Sequence, residues 1–383
     1  MRFLHISDLH LGKKIHGFSM IDDQEYILQQ ILTSVEEDNV DGLIIAGDIY
    51  DTKNPPNEAV GLFDYFLTEL SKMNCHVYAI AGNHDSAERM DFGRMIFQKD
   101  NIHFIGNFTG KIEKIEQNKN YEKVNIFLLP FIKPSIVRPF FPESEVNTYD
   151  DAFLCVLSTS DVNESECNIL VAHQFVTGSG IELMASESEE VKLSVGGLNS
   201  MAASNLSIFD YVALGHIHRP QTVGRSTIRY CGSPLKYSAS EILDEKSITV
   251  IDTNKKSIVI STIPLKPLRD MREIKGTIEE LTSPEAHGQG NTDDYIFAVV
   301  TEEIMDAKAK LNVIYPNVMD LKLLGEFRFG ETEVSAAEMS KLKLLSPEEL
   351  FVGFFEEING RQMKPGEHEI FKKAMDIVFR EEL

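Results

Sequence analysis

Apolar and polar positions follow two rhythms along this chain. Residues 2–7 alternate and are rich in β-formers, and residues 42–46, 77–81, 168–172 and 211–214 are short, almost continuous apolar runs. Runs of that length, bounded by glycine and polar residues, predict strands buried on both faces. Between them the rhythm becomes helical. Residues 22–35 carry Ile27, Leu28, Ile31, Leu32 and Val35 along one face. Pro55 and Pro56 open a helix to about Met73, with Val60, Phe63, Leu67 and Leu70 as its core stripe. Leu62, Phe66 and Met73 occupy a second face, which leaves two readings, further core packing or a dimer surface. Helical material runs from Ser86 to about Lys99, with Asp85 or Ser86 as its cap. Shorter β-like runs follow at 102–105, 110–116 and 124–129, then a helix at 149–158 and strands at 228–231, 248–251 and 258–263. Such alternation predicts an α/β fold.

Pro264 and Pro267 then punctuate the chain. Residues 1–265 read as one domain and residues 266–345 as a small α+β domain. Residues 346–383 read as two amphipathic helices. The first carries Leu350, Phe351, Phe354, Phe355 and Ile358, and the second Phe371, Met375 and Val378. Asn359-Gly360 ends one and Pro365-Gly366 precedes the other. Aromatics on such a pair suit a docking module or packing against the chain's own body. Residues 178–197 are rich in Gly, Ser and Glu and read as a long loop beside His173.

Composition narrows the class. With 43% hydrophobic and 25% charged residues in 383, the chain is an ordinary globular protein, and no apolar run reaches the roughly 18–20 residues that span a bilayer. Residues 1–7 lack the architecture of a signal peptide. Four scattered cysteines without a CxxC suit reduced, mostly buried thiols in a cytoplasmic setting. The net charge is −23, and residues 139–191 contain no Lys or Arg. That balance argues against gripping a phosphate backbone through the chain's own field. Positive charge for a nucleic-acid function must come locally, from bound metal or from a partner.

The candidate chemistry lies at five strand ends: Asp8-x-His10, Gly47-Asp48, Gly82-Asn83-His84, His173 and His216-x-His218. In an extended segment residues i and i+2 point the same way, so Asp8 with His10, and His216 with His218, are expected to converge. Carboxylates, imidazoles and an amide without thiolates suit two divalent ions such as manganese or iron, with zinc also compatible. Adjacent ions of this kind activate water and polarise phosphoryl oxygens in phosphoester hydrolysis. Asp48 is the carboxylate placed to bridge them. His84, one residue beyond a ligand, is free to stabilise the transition state or protonate a leaving oxygen. Lys13, Lys14, His16, Arg89 and Arg94 are candidates for phosphate contacts, and Asp51 and Asp85 for supporting roles. His5, His76, His103, His287 and His368 read as structural or surface residues.

The order D-x-H, G-D, G-N-H, H, G-H-x-H resembles the calcineurin-like metallophosphoesterases over residues 1–265. Longer stretches resemble the Mre-type nucleases, the bacterial SbcD group among them. These are Ser7-Asp8-Leu9-His10-Leu11-Gly12, Gly47-Asp48-Ile49-Tyr50-Asp51, Gly82-Asn83-His84-Asp85-Ser86, Tyr211-Val212-Ala213-Leu214-Gly215-His216-Ile217-His218 and Tyr230-Cys231-Gly232-Ser233-Pro234. The resemblance implies Asp8, His10, Asp48 and His218 on one Mn2+ and Asp48, Asn83, His173 and His216 on the other. It implies His84 as a catalytic residue that binds neither ion. It further implies a β-sandwich flanked by helices, a capping domain at 266–345 and a homodimer through helices near residues 56–99. The helical pair at 346–383 would dock on the coiled coil of an SbcC-type ATPase. The implied activity is a DNA nuclease, exonuclease on double strands and endonuclease on single strands or hairpins, driven by ATP through that partner in DNA repair and recombination.

Another phosphoesterase of the same fold, acting on a small phosphodiester or a phosphoprotein, is the alternative. Against a protein phosphatase, the stretch from Gly47 to Lys53 lacks the Arg-Gly that follows the second aspartate in those enzymes. Asp85 also stands where they have glutamate. A scaffold keeping only the fold is the third reading, and no ligand is missing to support it.

Overall fold

Neighbouring residues of the central strands belong to different cores. Leu4, Ile6, Leu43 and Ile45 pack outward beneath helices, whereas Phe3, Ile44, Tyr78 and Ile80 pack inward against a second sheet. The inward side chains meet Ile126, Leu128, Ile169, Val171, Tyr211 and Ala213, while Phe127, Leu129, Leu170 and Leu214 turn to the far side of that sheet. Burial on both faces is why these segments read as unbroken apolar runs. The result is a β-sandwich with helices outside it.

The computed structural model describes residues 1–178, 200–283, 290–302 and 305–324, all within one unit, Met1–Leu324. The first sheet runs Ser257–Pro264, Ser247–Asn254, Arg2–Ile6, Gly42–Ile45, His76–Ile80, Ile102–Ile105 across its width. Its last four strands are parallel. The second runs Gln221–Val223, Arg225–Tyr230, Tyr211–Gly215, Cys167–His173, Glu122–Leu129, Glu113–Lys119, with its middle four strands parallel. Helices Ile21–Glu37 and Asn57–Lys72 cover the first sheet, and Tyr149–Ser158 packs on the second.

Phe66 is fully buried, and Leu62 and Met73 pack against the same core. The second apolar face of that helix therefore serves the fold of one chain. The helical stretch expected to reach Lys99 is divided into Ala87–Asp91 and Arg94–Phe97, because Gly93 between them adopts a left-handed φ of 76°. All four cysteines are free, and three of them are buried. Among the described residues no helix is long and apolar enough to cross a membrane. The two helices expected at 346–383, with His368, and most of the loop at 178–197 lie outside the described residues, as does His287.

After Pro264 a separate three-stranded parallel sheet forms from Met271–Gly276, Tyr295–Val300 and Val318–Leu323. One face carries its own core of Ile278, Leu281, Ile296, Leu311 and Tyr315. Met271, Tyr295, Phe297 and Met319 on the other face join the main core. The join has a polar pin. Asp23, fully buried on the first helix, accepts from Arg269 Nη2 at 2.7 Å and from the Tyr295 hydroxyl at 2.7 Å. Asp23→Ala leaves the buried Tyr295 hydroxyl and the half-buried Arg269 guanidinium without this acceptor and is expected to lower stability by about 1–3 kcal/mol. Chemical denaturation followed by circular dichroism measures this; a change below about 0.5 kcal/mol would show that the pin is ornamental.

Candidate metal centre

Five parallel strands deliver the candidate residues to one edge of the sandwich. Arg2–Ile6, Gly42–Ile45 and His76–Ile80 lead into Asp8 and His10, Asp48, and Asn83 and His84. Cys167–His173 ends on His173, and Tyr211–Gly215 leads into His216 and His218. Past the strands the chain does not stay extended. Asp8, His10, Asp48 and His216 have φ of 54°, 44°, 51° and 97°, a region non-glycine residues rarely adopt. Convergence therefore comes from sharp left-handed turns, not from strand alternation as the sequence suggested. Neighbouring segments hold these turns. Asp8 N–H donates to Gly47 O and His10 N–H to Asp48 O, both at 3.0 Å. His216 N–H donates to the Asp8 carboxylate at 3.0 Å. Buried Gln24 donates to His10 O at 2.7 Å and accepts from Gly12 N–H at 2.9 Å.

Asp48 lies at the centre. Its Oδ2 is 3.2 Å from His173 Nε2 and 3.7 Å from His10 Nε2, and its Oδ1 accepts from His84 N–H at 2.9 Å. Burial opposes its charge, but His173, His10 and His84 outweigh that and hold the carboxyl below its ordinary range. His10 Nε2 is 3.1 Å from His218 Nε2. Asn83 Oδ1 is 3.1 Å from His173 Nε2 and 3.0 Å from His216 Nδ1. Ligand atoms of Asp8, His10 and His218 all lie within 4.8 Å of one another, as do those of Asp8, Asp48 and His173, and of His10, Asp51 and His84.

This donor set fits divalent metal ions. Burial, with His173 alongside, pushes His216 down to about 4, and burial also lowers His10, so both imidazoles are neutral at pH 7. Ring orientation is set from behind. His173 Nδ1–H donates to Ala46 O at 2.7 Å, which aims Nε2 at Asp48 and Asn83. His84 Nδ1 makes the corresponding bond to Asp51 O at 2.9 Å, leaving Nε2 as its other ring nitrogen.

The remaining candidates divide. Asp85 does not cap the next helix; Ser86 does, accepting from Arg89 N–H at 3.4 Å. The buried Asp85 carboxylate instead accepts from Tyr50, Gly82 and Ile49 N–H at 2.9, 2.9 and 3.1 Å, tying two site turns together. Burial and then Asp48 raise its pKa to about 6. A Cβ on Gly82 would collide with Asp48 Oδ1 and stand 2.5 Å from its backbone nitrogen, so glycine is required by close approach. Asp51 touches His10 Nδ1 at 3.3 Å and Lys13 Nζ at 2.6 Å. These partners overcome burial and hold it at about 2. His16 is exposed and meets Phe297 of the small sheet edge-on. Lys14 and Arg89 are exposed, and Arg94 faces Glu113 at 3.8 Å. The cluster does not include them.

Glu241 escaped the sequence reading. It is fully buried, with Oε1 3.6 Å from His218 Nδ1 and Oε2 2.6 Å from Lys246 Nζ. Lys246 also donates to His218 O at 2.9 Å and Ser233 Oγ at 3.0 Å. A carboxylate behind an imidazole fixes its tautomer and orientation. The one local signal, Ser238-x-x-Glu241, reads as a helix-capping pattern and says nothing of His218.

Comparison with known proteins identifies the family. The family described as calcineurin-like phosphoesterase matches residues 1–220, and the one described as type 5 capsule protein repressor C-terminal domain matches residues 267–359. The SbcD component of the nuclease SbcCD of Staphylococcus epidermidis is 32% identical over 326 residues, 84% of this chain and 85% of that one. Among solved structures, a dimetal phosphatase from Danio rerio is 12% identical with a TM-score of 0.41, covering 70% of this chain and 98% of that one. A Thermus thermophilus protein is 10% identical with a TM-score of 0.39, covering 68% and 98%. The chain belongs to the calcineurin-like phosphoesterases, a family of hydrolytic enzymes, and within it to the group of the SbcD nucleases.

Proposed function

We propose that this chain is a manganese-dependent DNA nuclease. Asp8, His10, Asp48 and His218 would hold one ion, and Asp48, Asn83, His173 and His216 the other. The observation that carries this reading is the convergence of six donor side chains around Asp48, contributed by both sheets. Bound ions supply Lewis acidity toward phosphoryl oxygens and a lowered pKa for water. The chain's own residues do the positioning. His84, held through Nδ1 by the Asp51 carbonyl, keeps Nε2 for the substrate, to stabilise the transition state or, as the imidazolium, to give the Nε2 proton to the leaving oxygen.

The name of the Staphylococcus epidermidis relative supports a nucleic-acid substrate and an SbcC-type ATPase as partner. On this reading the substrate is DNA: double strands are trimmed from their ends, and single strands and hairpins are cut internally. ATP hydrolysis by the partner gates cleavage, in DNA repair and recombination at the nucleoid. Residues 266–345 cap the nuclease domain formed by 1–265, and residues 346–383 dock on the partner's coiled coil. A homodimer through residues 56–99 is supported by Phe92, Met95 and Ile96, which are 82%, 82% and 68% exposed. Bound cations and the partner supply the positive charge that a chain of net charge −23 lacks.

Incubating the full chain with Mn2+ and linear or hairpin DNA, with and without the co-expressed ATPase and ATP, tests the reading. No cleavage under either condition overturns it. His84→Ala is expected to slow cleavage by about 10²–10⁴-fold with metal content by mass spectrometry unchanged; loss of an ion would place His84 among the ligands instead.

Proton linkage gives a second check. Burial disfavours a proton on His173, but Asp48 outweighs it and raises the imidazole to about 9. A cation must displace that proton, so Mn2+ uptake at pH 7 is expected to release protons and apparent affinity to rise with pH toward 9. Calorimetric titration in two buffers of different ionisation enthalpy measures the release; identical heats would contradict it.

Glu241→Ala is expected to weaken one of the two ions by about 10–100-fold, with Glu241→Gln restoring most of the loss. Competitive metal titration separates this from general destabilisation, which would weaken both ions alike.

A further inference from the structure

A cleft of about 680 Å³ opens beside Asn83 and His216, within the range of small-molecule sites, about 300–1,000 Å³. Its lining turns aromatic where the metal-ligand candidates end. Phe131 meets the His173 ring edge-on at 6.4 Å between centroids, and Phe175 meets His216 in the same manner at 6.4 Å. Both phenylalanines are half-buried and line the cleft. Gln174, also in the lining, is fully buried. Its Nε2 donates to Ile132 O at 3.0 Å, but its Oε1 has no partner among the described residues. Orphaned buried acceptors are uncommon and call for an explanation. Lys53 and Lys133, both exposed, are in the lining, as are the acidic residues Asp85 and Glu88.

We infer that this cleft is a subsite for one unpaired nucleotide, with its base stacked on Phe131 and Phe175 and an N–H of the base donated to Gln174 Oε1. The inference rests on the nuclease reading and specifies its substrate as a single strand or a frayed end. In a duplex the Watson–Crick N–H groups are engaged by the complement and the faces by neighbouring bases, so only an unpaired base presents both to one cleft. Stacking on aromatic rings is sequence-tolerant. It also needs little of the long-range positive field that an acidic chain cannot provide. Lys53 and Lys133 are the cations of the lining that would meet flanking phosphates.

The probe is a single-stranded oligodeoxynucleotide carrying one abasic position, moved stepwise past the cleaved phosphate, with the full chain and Mn2+. At one register the missing base is expected to lower kcat/KM on the order of 5- to 150-fold. In Phe131→Leu and Phe175→Leu that penalty shrinks toward none, a coupling that a folding defect does not produce. Binding of a 2-aminopurine strand in EDTA, read by quenching, should weaken in the same variants without any cleavage. If the native chain cuts DNA but no abasic position matters, the subsite is wrong and the nuclease reading stands. If it cuts no DNA yet quenches 2-aminopurine through Phe131 and Phe175, the subsite stands and the nuclease reading fails. Displacement of the strand by a phosphotyrosyl peptide that itself binds more tightly would also overturn the subsite, in favour of a phosphoprotein ligand.

Discussion

A buried carboxylate with histidines from both sheets around it governs this molecule. Asp48 comes from the first sheet and His173 from the second, and they meet at 3.2 Å with almost no solvent. An isolated buried charge is prohibitively costly, so the sandwich closes at this edge only where imidazoles and N–H groups answer the carboxylate. Much follows from that. Gly82 has no side chain because Asp48 occupies the space, and Asp85 gathers three backbone N–H groups that bring the Asp48 and Asn83 turns together. The left-handed turns at Asp8, His10, Asp48 and His216 are local strain held by this mutual satisfaction.

The fold was legible where burial imposed a pattern. Continuous apolar runs such as Leu43-Ile44-Ile45 reflect strands with a core on each side, and the heavy apolar loading of Asn57–Lys72 reflects a helix with Phe66 and Leu67 both inside. The clustering of the candidate residues was legible for another reason. Strand ends deliver side chains to one edge, so order along the chain became proximity in space. What stayed hidden depends on backbone direction and distant partners. Alternation placed Asp8 beside His10 for the wrong reason, since positive φ brings them together. Glu241, 23 residues beyond His218 by number, and Gln24, on a helix whose pattern advertises only its apolar face, join the site by contacts no periodicity encodes. Gln174 is the same kind of case, a polar residue inside a run of apolar ones.

The acidic balance of the chain takes on a definite meaning beside this site. A net charge of −23 repels a phosphate backbone at long range, yet the centre itself gathers imidazoles around two buried carboxylates. Exposed cations near it are few, and Lys13 is spent on Asp51 at 2.6 Å. Substrate selection must therefore act over short distances, through donors, acceptors and ring faces, and not through a field that draws in any polyanion. A protein built in this way discriminates by what can enter its edge. On the reading proposed above, duplex DNA would meet the repulsive surface first, whereas an unpaired end would offer a base to Phe131, Phe175 and the buried Oε1 of Gln174. On that reading the acidity that weakens indiscriminate binding would sharpen the choice among ends, leaving bulk affinity to a partner that supplies the positive surface.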